Sequence, residues 1–111
     1  MDNSAEAIVV MMTAASQDEA SRIAEMLVGE RLAACVQILP EIESVYRWQG
    51  AVKREKEILL LAKTVRSRFE EFESKVRALH SYETPEIIAV SVVDVSEPYL
   101  KWLLSTVKEN S

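Results

Sequence analysis

Residues 79–86 read Leu-His-Ser-Tyr-Glu-Thr-Pro-Glu and place the chain's one histidine, His80, close to Tyr82, Glu83 and Glu86. An imidazole beside carboxylates can hold a divalent transition metal or pass a proton, and both uses need a group that titrates near neutral pH. His80 and Glu86 are the candidate metal donors, and either is also a candidate general base with Tyr82 as hydrogen-bond donor. A histidine at a helix end serves equally well as a polar C-terminal cap, because cations and ring donors favour the last carbonyls of a helix. The segment therefore reads either as a site or as a capped helix end.

Other residues able to do chemistry are scattered. Lys63 can hold an anionic group. Cys35, the only cysteine, cannot form an internal disulfide and sits in the apolar run Leu32, Ala33, Ala34, Cys35, Val36, so it reads as an inert thiol before it reads as a nucleophile or ligand. With Gly29 and Gly50 as the only glycines there is no phosphate-cradling loop, and no Ser/His/Asp or Cys/His grouping can be placed together.

Composition narrows the partners. The 111 residues are 49% hydrophobic and 28% charged, which suits one globular α+β domain over residues 1–111. A net charge of −5 and a pI near 4.9 argue against nucleic-acid and anionic-membrane surfaces, which reward clustered Lys and Arg. No apolar run approaches a membrane span, and residues 1–6 lack the basic and apolar regions of a secretory signal, so the cytosol is the expected compartment.

The elements that must position these groups follow from periodicity. Residues 7–12 form a β-branched apolar run that predicts a strand buried on both faces. Ser16 and Glu19 form a capping box for an amphipathic helix carrying Ala20, Ile23, Ala24, Leu27 and Val28 and ending at Gly29. Residues 32–39 predict a second strand, bent or bulged at Pro40, which resumes with Ile42, Ser44, Tyr46 and Trp48 on one face. Gln49 and Gly50 make a tight turn into a third strand over residues 51–64, charged in its first half and apolar in its second. Ser67 and Glu70 offer a second capping box, followed by Phe69, Phe72, Val76 and Leu79 on one stripe up to His80. Residues 86–95 predict a fourth strand, and Ser96, Glu97 and Pro98 open a last helix carrying Tyr99, Trp102, Leu103 and Val107 inward. The order βαββαβ plus a C-terminal helix favours a ferredoxin-like antiparallel sheet with helices on one face.

The hairpin carries a separate inference. A 13-residue strand spans roughly 44 Å, whereas a compact domain of this length has a diameter of roughly 35 Å. Unless it folds back at Pro40, the hairpin projects beyond its own domain and leaves strand edges and the Tyr46 and Trp48 rings to be covered. Self-association with closed symmetry is the simplest cover.

Five motifs now stand in order: Leu32 to Val36, then Tyr46, Arg47, Trp48, Gln49 and Gly50, then Ala62, Lys63 and Thr64, then His80 to Ile87, then Tyr99, Leu100, Lys101 and Trp102. Together they resemble the CutA divalent-cation-tolerance family from Ala7 to Val107. The resemblance implies a ferredoxin-like subunit in a tight homotrimer similar to that of the PII signalling proteins, joined through the long hairpin. It also implies tolerance of, and in some members binding of, copper or other divalent cations, while animal relatives are associated with membrane anchoring of acetylcholinesterase. The implied metal donors are His80, Glu86 and the first-strand position held by Met12, where the family's cysteine is absent. Ser81 stands where proline is usual, and Leu79 where some members carry a second histidine. A thioether is a soft, weak donor compared with a thiolate, so only weak binding of Cu(II) or another divalent cation is expected, with no organic cofactor. Met12 also reads simply as core. Tyr82, Glu83, Lys63 and Trp48 are expected to line a cleft between subunits, and Tyr46, Trp48 and Trp102 read as interface anchors or as a ligand-stacking set. No reaction is implied. The leading expectation is a metal-responsive binding protein rather than an enzyme, the alternatives being a small-molecule binder or enzyme using the intersubunit cleft, or a scaffold trimer.

Overall fold

A computed structural model describes residues 6–108, so the reading of residues 1–5 lies outside it. β1 (Ala7–Ala14), β2 (Cys35–Trp48), β3 (Ala51–Val65) and β4 (Ile87–Ser91) form one sheet in the order β2-β3-β1-β4, with every neighbouring pair antiparallel. Three helices complete the chain: α1 (Gln17–Gly29), α2 (Phe69–Leu79) and α3 (Glu97–Thr106). This is the expected ferredoxin-like α+β arrangement.

Strand alternation divides the core in two. Ile8, Val10, Met12 and Ala14 of β1 meet Leu60 and Ala62 of β3 beneath Ile23 and Leu27 of α1 and Phe72 and Val76 of α2. The helices were expected on one face, but α3 packs on the other, where Leu103 and Val107 cover Ala7, Ala34 and Val65. Its Tyr99 and Trp102 do not point inward as expected. They remain 39% and 44% exposed, because Leu103 and Val107 already take up the inward stripe.

The α1 cap forms as expected, the Glu19 amide donating to Ser16 Oγ at 3.1 Å. Its other end also falls where expected. Gly29 is the last helical residue, and Arg31 adopts the left-handed conformation at φ 59° while the Leu32 and Ala33 amides donate to the Leu27 carbonyl. Leu32 and Ala33 are thereby buried in the turn, so β2 begins three residues later than expected.

The second capping box does not form. The segment Arg66–Arg68 is a short 3-10 turn, and α2 starts from Arg68 without a side-chain cap. β4 is shorter than its apolar run because β1 runs out: Ser91 pairs with Ile8, and the Val92 amide makes the last bond to the Ala7 carbonyl.

Pro40 bulges β2 without ending it. Leu39 pairs with Leu59 and Ile42 with Glu57, so one extra residue is accommodated, with Glu41 at φ 47°. Pairing continues to Trp48 and Ala51, and Gln49 and Gly50 close the turn at φ 49° and 81°. The hairpin therefore extends, and the molecule measures 44 × 26 × 23 Å. Beyond Ile42 on β2 and before Glu57 on β3, almost every residue is exposed, including Val45, Tyr46, Trp48 and Val52.

Candidate functional site

His80 follows the last turn of α2, its amide donating to the Val76 carbonyl. Backbone pairing between β1 and β4 stops at Met12 and Ile87, leaving the Thr13 carbonyl just past the last pair. His80 Nε2 lies 2.8 Å from that carbonyl oxygen, and the Tyr82 amide donates to His80 Nδ1 at 3.0 Å. A carbonyl can only accept and an amide N–H can only donate, so the ring is set as the neutral Nε2–H tautomer. Both ring nitrogens are engaged. The Tyr82 ring tilts over the imidazole with centroids 4.8 Å apart.

Glu19 anchors the same segment from α1. One carboxylate oxygen accepts from the Ala15 amide at 2.9 Å and the other from the Ser81 amide at 2.8 Å. Only 5% of Glu19 is exposed. Burial pushes its carboxyl up, but the hydrogen bonds from the Ser81 hydroxyl and from the Ala15 and Ser81 amides outweigh it and leave the group below its ordinary 4.5. The sequence marked Glu19 only as a local cap partner; its bond to Ser81 spans 62 positions, which no spacing rule reveals.

Tyr82 is tied to β3. Its hydroxyl donates to Glu57 Oε2 at 2.9 Å, joining the 80–86 connection to the base of the hairpin. Burial, then the hydrogen bond to the Glu57 carboxylate and its charge, push the phenol well above its ordinary 10. Glu57, 8% exposed, is a second residue that sequence reasoning missed, read there only as part of a charged half-strand.

A cleft of about 630 Å³ opens between this connection and the hairpin. Of the expected site residues, Tyr82, Glu83, Glu86, Tyr46 and Trp48 line it, together with Glu57, Thr13 and Ser44. Lys63 does not. It lies six residues along β3 from Glu57, roughly 20 Å away, with its ammonium on the Gln37 side chain. Met12 is also absent from the cleft, being fully buried on the helix-covered face, whereas the neighbouring Thr13 lines the cleft. Trp102 stacks obliquely on Tyr99 in α3, at 5.3 Å between centroids. Cys35 is partly buried rather than fully buried.

These positions do not fit a resident metal within one chain. His80 has no free ring nitrogen, Met12 is a core side chain, and among the described residues no three His, Cys, Asp or Glu side chains converge to hold an ion. Glu86 and Glu83 remain as exposed oxygen donors at the cleft.

Comparison with known proteins agrees with this architecture. A curated relative from Thermus thermophilus, a divalent-cation tolerance protein CutA, is 47% identical over 95 residues, covering 86% of this chain and 92% of its own. The chloroplastic CutA protein of Arabidopsis thaliana is 42% identical over 101 residues, and the chain spans only 56% of that longer relative. Among solved structures, CutA1 from Oryza sativa superposes with a TM-score of 0.92 at 38% identity, covering 98% of this chain and all of that one. CutA from Xylella fastidiosa gives 0.90 at 38% identity, covering 93% and 99%. The family described as CutA1 divalent ion tolerance protein matches residues 8–106, and the chain belongs to that family.

Proposed function

We propose that the chain works as a cytosolic homotrimer in divalent-cation tolerance, similar in assembly to the PII proteins. In this reading it binds cations weakly at clefts that a neighbouring subunit completes. The observation that carries the reading is the hairpin: it reaches past the helix-covered core, within a long axis of 44 Å, and leaves Val45, Tyr46, Trp48 and Val52 in water, exposed by 41–65%. Soluble proteins cover such edges and rings, and three copies related by closed symmetry do so without leaving a free edge. Glu86 and Glu83 supply oxygen donors for Cu(II) or another divalent cation, and a neighbouring chain would have to add the rest. The chain acts as a binding protein rather than an enzyme in this reading, since its one imidazole is already bonded at both nitrogens. A single cysteine suits a reducing compartment.

Sedimentation at micromolar concentration tests the assembly, the mass of three chains being expected; a monomer overturns it. Calorimetric titration with Cu(II) and Zn(II) tests the cations. Weak saturable heat that Glu86→Gln abolishes is expected, and no heat from either ion overturns the binding. Cell fractionation checks the compartment, and recovery in an exported or membrane fraction overturns it.

A further inference from the structure

The hairpin leaves the four-stranded sheet at one level. β1 supports β3 as far as Ala14, which pairs with Ile58, and on the other side of Ile58 the ladder is broken by the bulge at Pro40 and Glu41. From Glu57 outward, β3 has β2 as its one strand partner. A bulge interrupts pairing and bends its strand, and a two-stranded ribbon is weakly held by itself, so this level is a hinge. The ion pairs at and beyond it, Arg54 with Glu43 at 2.7 Å and Lys56 with Glu41 at 3.6 Å, tie one strand of the hairpin to the other and do not reach the body of the domain.

One bond crosses the hinge. Glu57 opposes Ile42 in the first pair beyond the bulge, and its buried carboxylate accepts from the Tyr82 hydroxyl at 2.9 Å. Tyr82 follows two residues that are fixed to the body, His80 on the Thr13 carbonyl at the end of β1 and the Ser81 amide on Glu19 of α1. We propose that the bond from Tyr82 to Glu57 is a strut that sets the angle of the hairpin to the body, presenting the hairpin to neighbouring chains in one orientation before they meet. The connection itself does not need this bond, because the Tyr82 amide is already held by His80 Nδ1 and the two rings lie against each other. Its effect falls on the hairpin. A hairpin free to swing would lose that freedom on association, and a hairpin braced within its own chain has lost it on folding, which favours assembly.

The strut rests on the assembly reading only for this last consequence. Hydrogen exchange read by mass spectrometry tests it in the full chain, comparing residues 42–57 with β1. Tyr82→Phe keeps the ring over His80 and loses only the hydroxyl, so exchange in the hairpin should rise about ten-fold while β1 is unchanged. Glu57→Leu, which removes the acceptor, should match it, and the double variant should be no faster than either. Glu57→Gln keeps an acceptor for the phenol and should behave as the wild type. Hairpin exchange that ignores Tyr82→Phe, or that rises by the same factor in β1, overturns the strut. Sedimentation over a dilution series should show Tyr82→Phe dissociating at about ten-fold higher concentration than the wild type, and equally tight assembly overturns the presenting role. A monomeric wild type defeats the assembly reading alone, since exchange within one chain still decides the strut.

Discussion

Glu19 is the residue through which acid should reach the fold. Its folded value lies below the ordinary 4.5, so the stability it contributes is present above about pH 4.5 and is lost as pH falls through the folded value. Glu19→Gln should cost about 1–3 kcal/mol at pH 7. Its urea midpoint should also change less than the wild type's between pH 5 and pH 3, and equal acid slopes for the two proteins would contradict the role given to this carboxylate. Tyr82 runs the opposite way, its raised value making its contribution full below pH 10 and lost as pH climbs through the folded value. For His80 the geometry forecasts a separation of effects. His80→Ala strips a donor from the Thr13 carbonyl and an acceptor from the Tyr82 amide, and should cost about 1–3 kcal/mol in denaturant unfolding. Affinity for Zn(II) or Cu(II) should be unchanged, and a large loss of affinity in a folded variant would restore His80 as a ligand.

At the scale of elements, the two glycines have opposite requirements. Gly29 ends α1 without positive φ, and a Cβ there would meet nothing within 4 Å, so Gly29→Ala should stabilise by about 0.5–1 kcal/mol through helix propensity and a less flexible unfolded chain. Gly50 also has open space around it but sits at φ 81°, so Gly50→Ala should destabilise by about 1–2 kcal/mol. Thermal unfolding of both variants checks the pair, and matching signs would mean that space rather than backbone conformation governs these positions. Local sequence made most elements legible: the Ser16 cap, the α1 stripe, the Pro40 bulge and the Gln49–Gly50 turn all rest on neighbouring residues. It misplaced the Ser67 cap because the 3-10 turn over Arg66–Arg68 takes up the residues that would have capped α2. It overran β4 because a strand's length depends on the partner's length as well as its own residues.

For the whole molecule, assembly should appear as concentration-dependent stability. If three chains share the hairpin faces, the unfolding midpoint rises with protein concentration, and Trp48→Asp, which puts a charge on an exposed hairpin ring position, should lower the midpoint and shift the sedimenting mass downward. A midpoint independent of concentration together with unchanged mass would speak against association through the hairpin. The same hairpin forms one wall of the cleft, to which it contributes Tyr46 and Trp48.

The order of elements, the projecting hairpin, the family itself and the centre of each core-facing stripe were determined by the sequence, because each rests on periodicity, turn chemistry or motifs a few residues long, whereas Val28, Leu79, Tyr99 and Trp102, expected on those stripes, are exposed. The tertiary structure alone decided which chemical groups meet. Alternation along β1 turns Met12 into the core and brings Thr13 to the cleft. The bonds from Glu19 to Ser81, His80 to Thr13 and Tyr82 to Glu57 cross 62, 67 and 25 positions. Contacts at such separations arise only when the sheet and helices close on one another, so a histidine that reads locally as a candidate ligand becomes a brace with both nitrogens occupied.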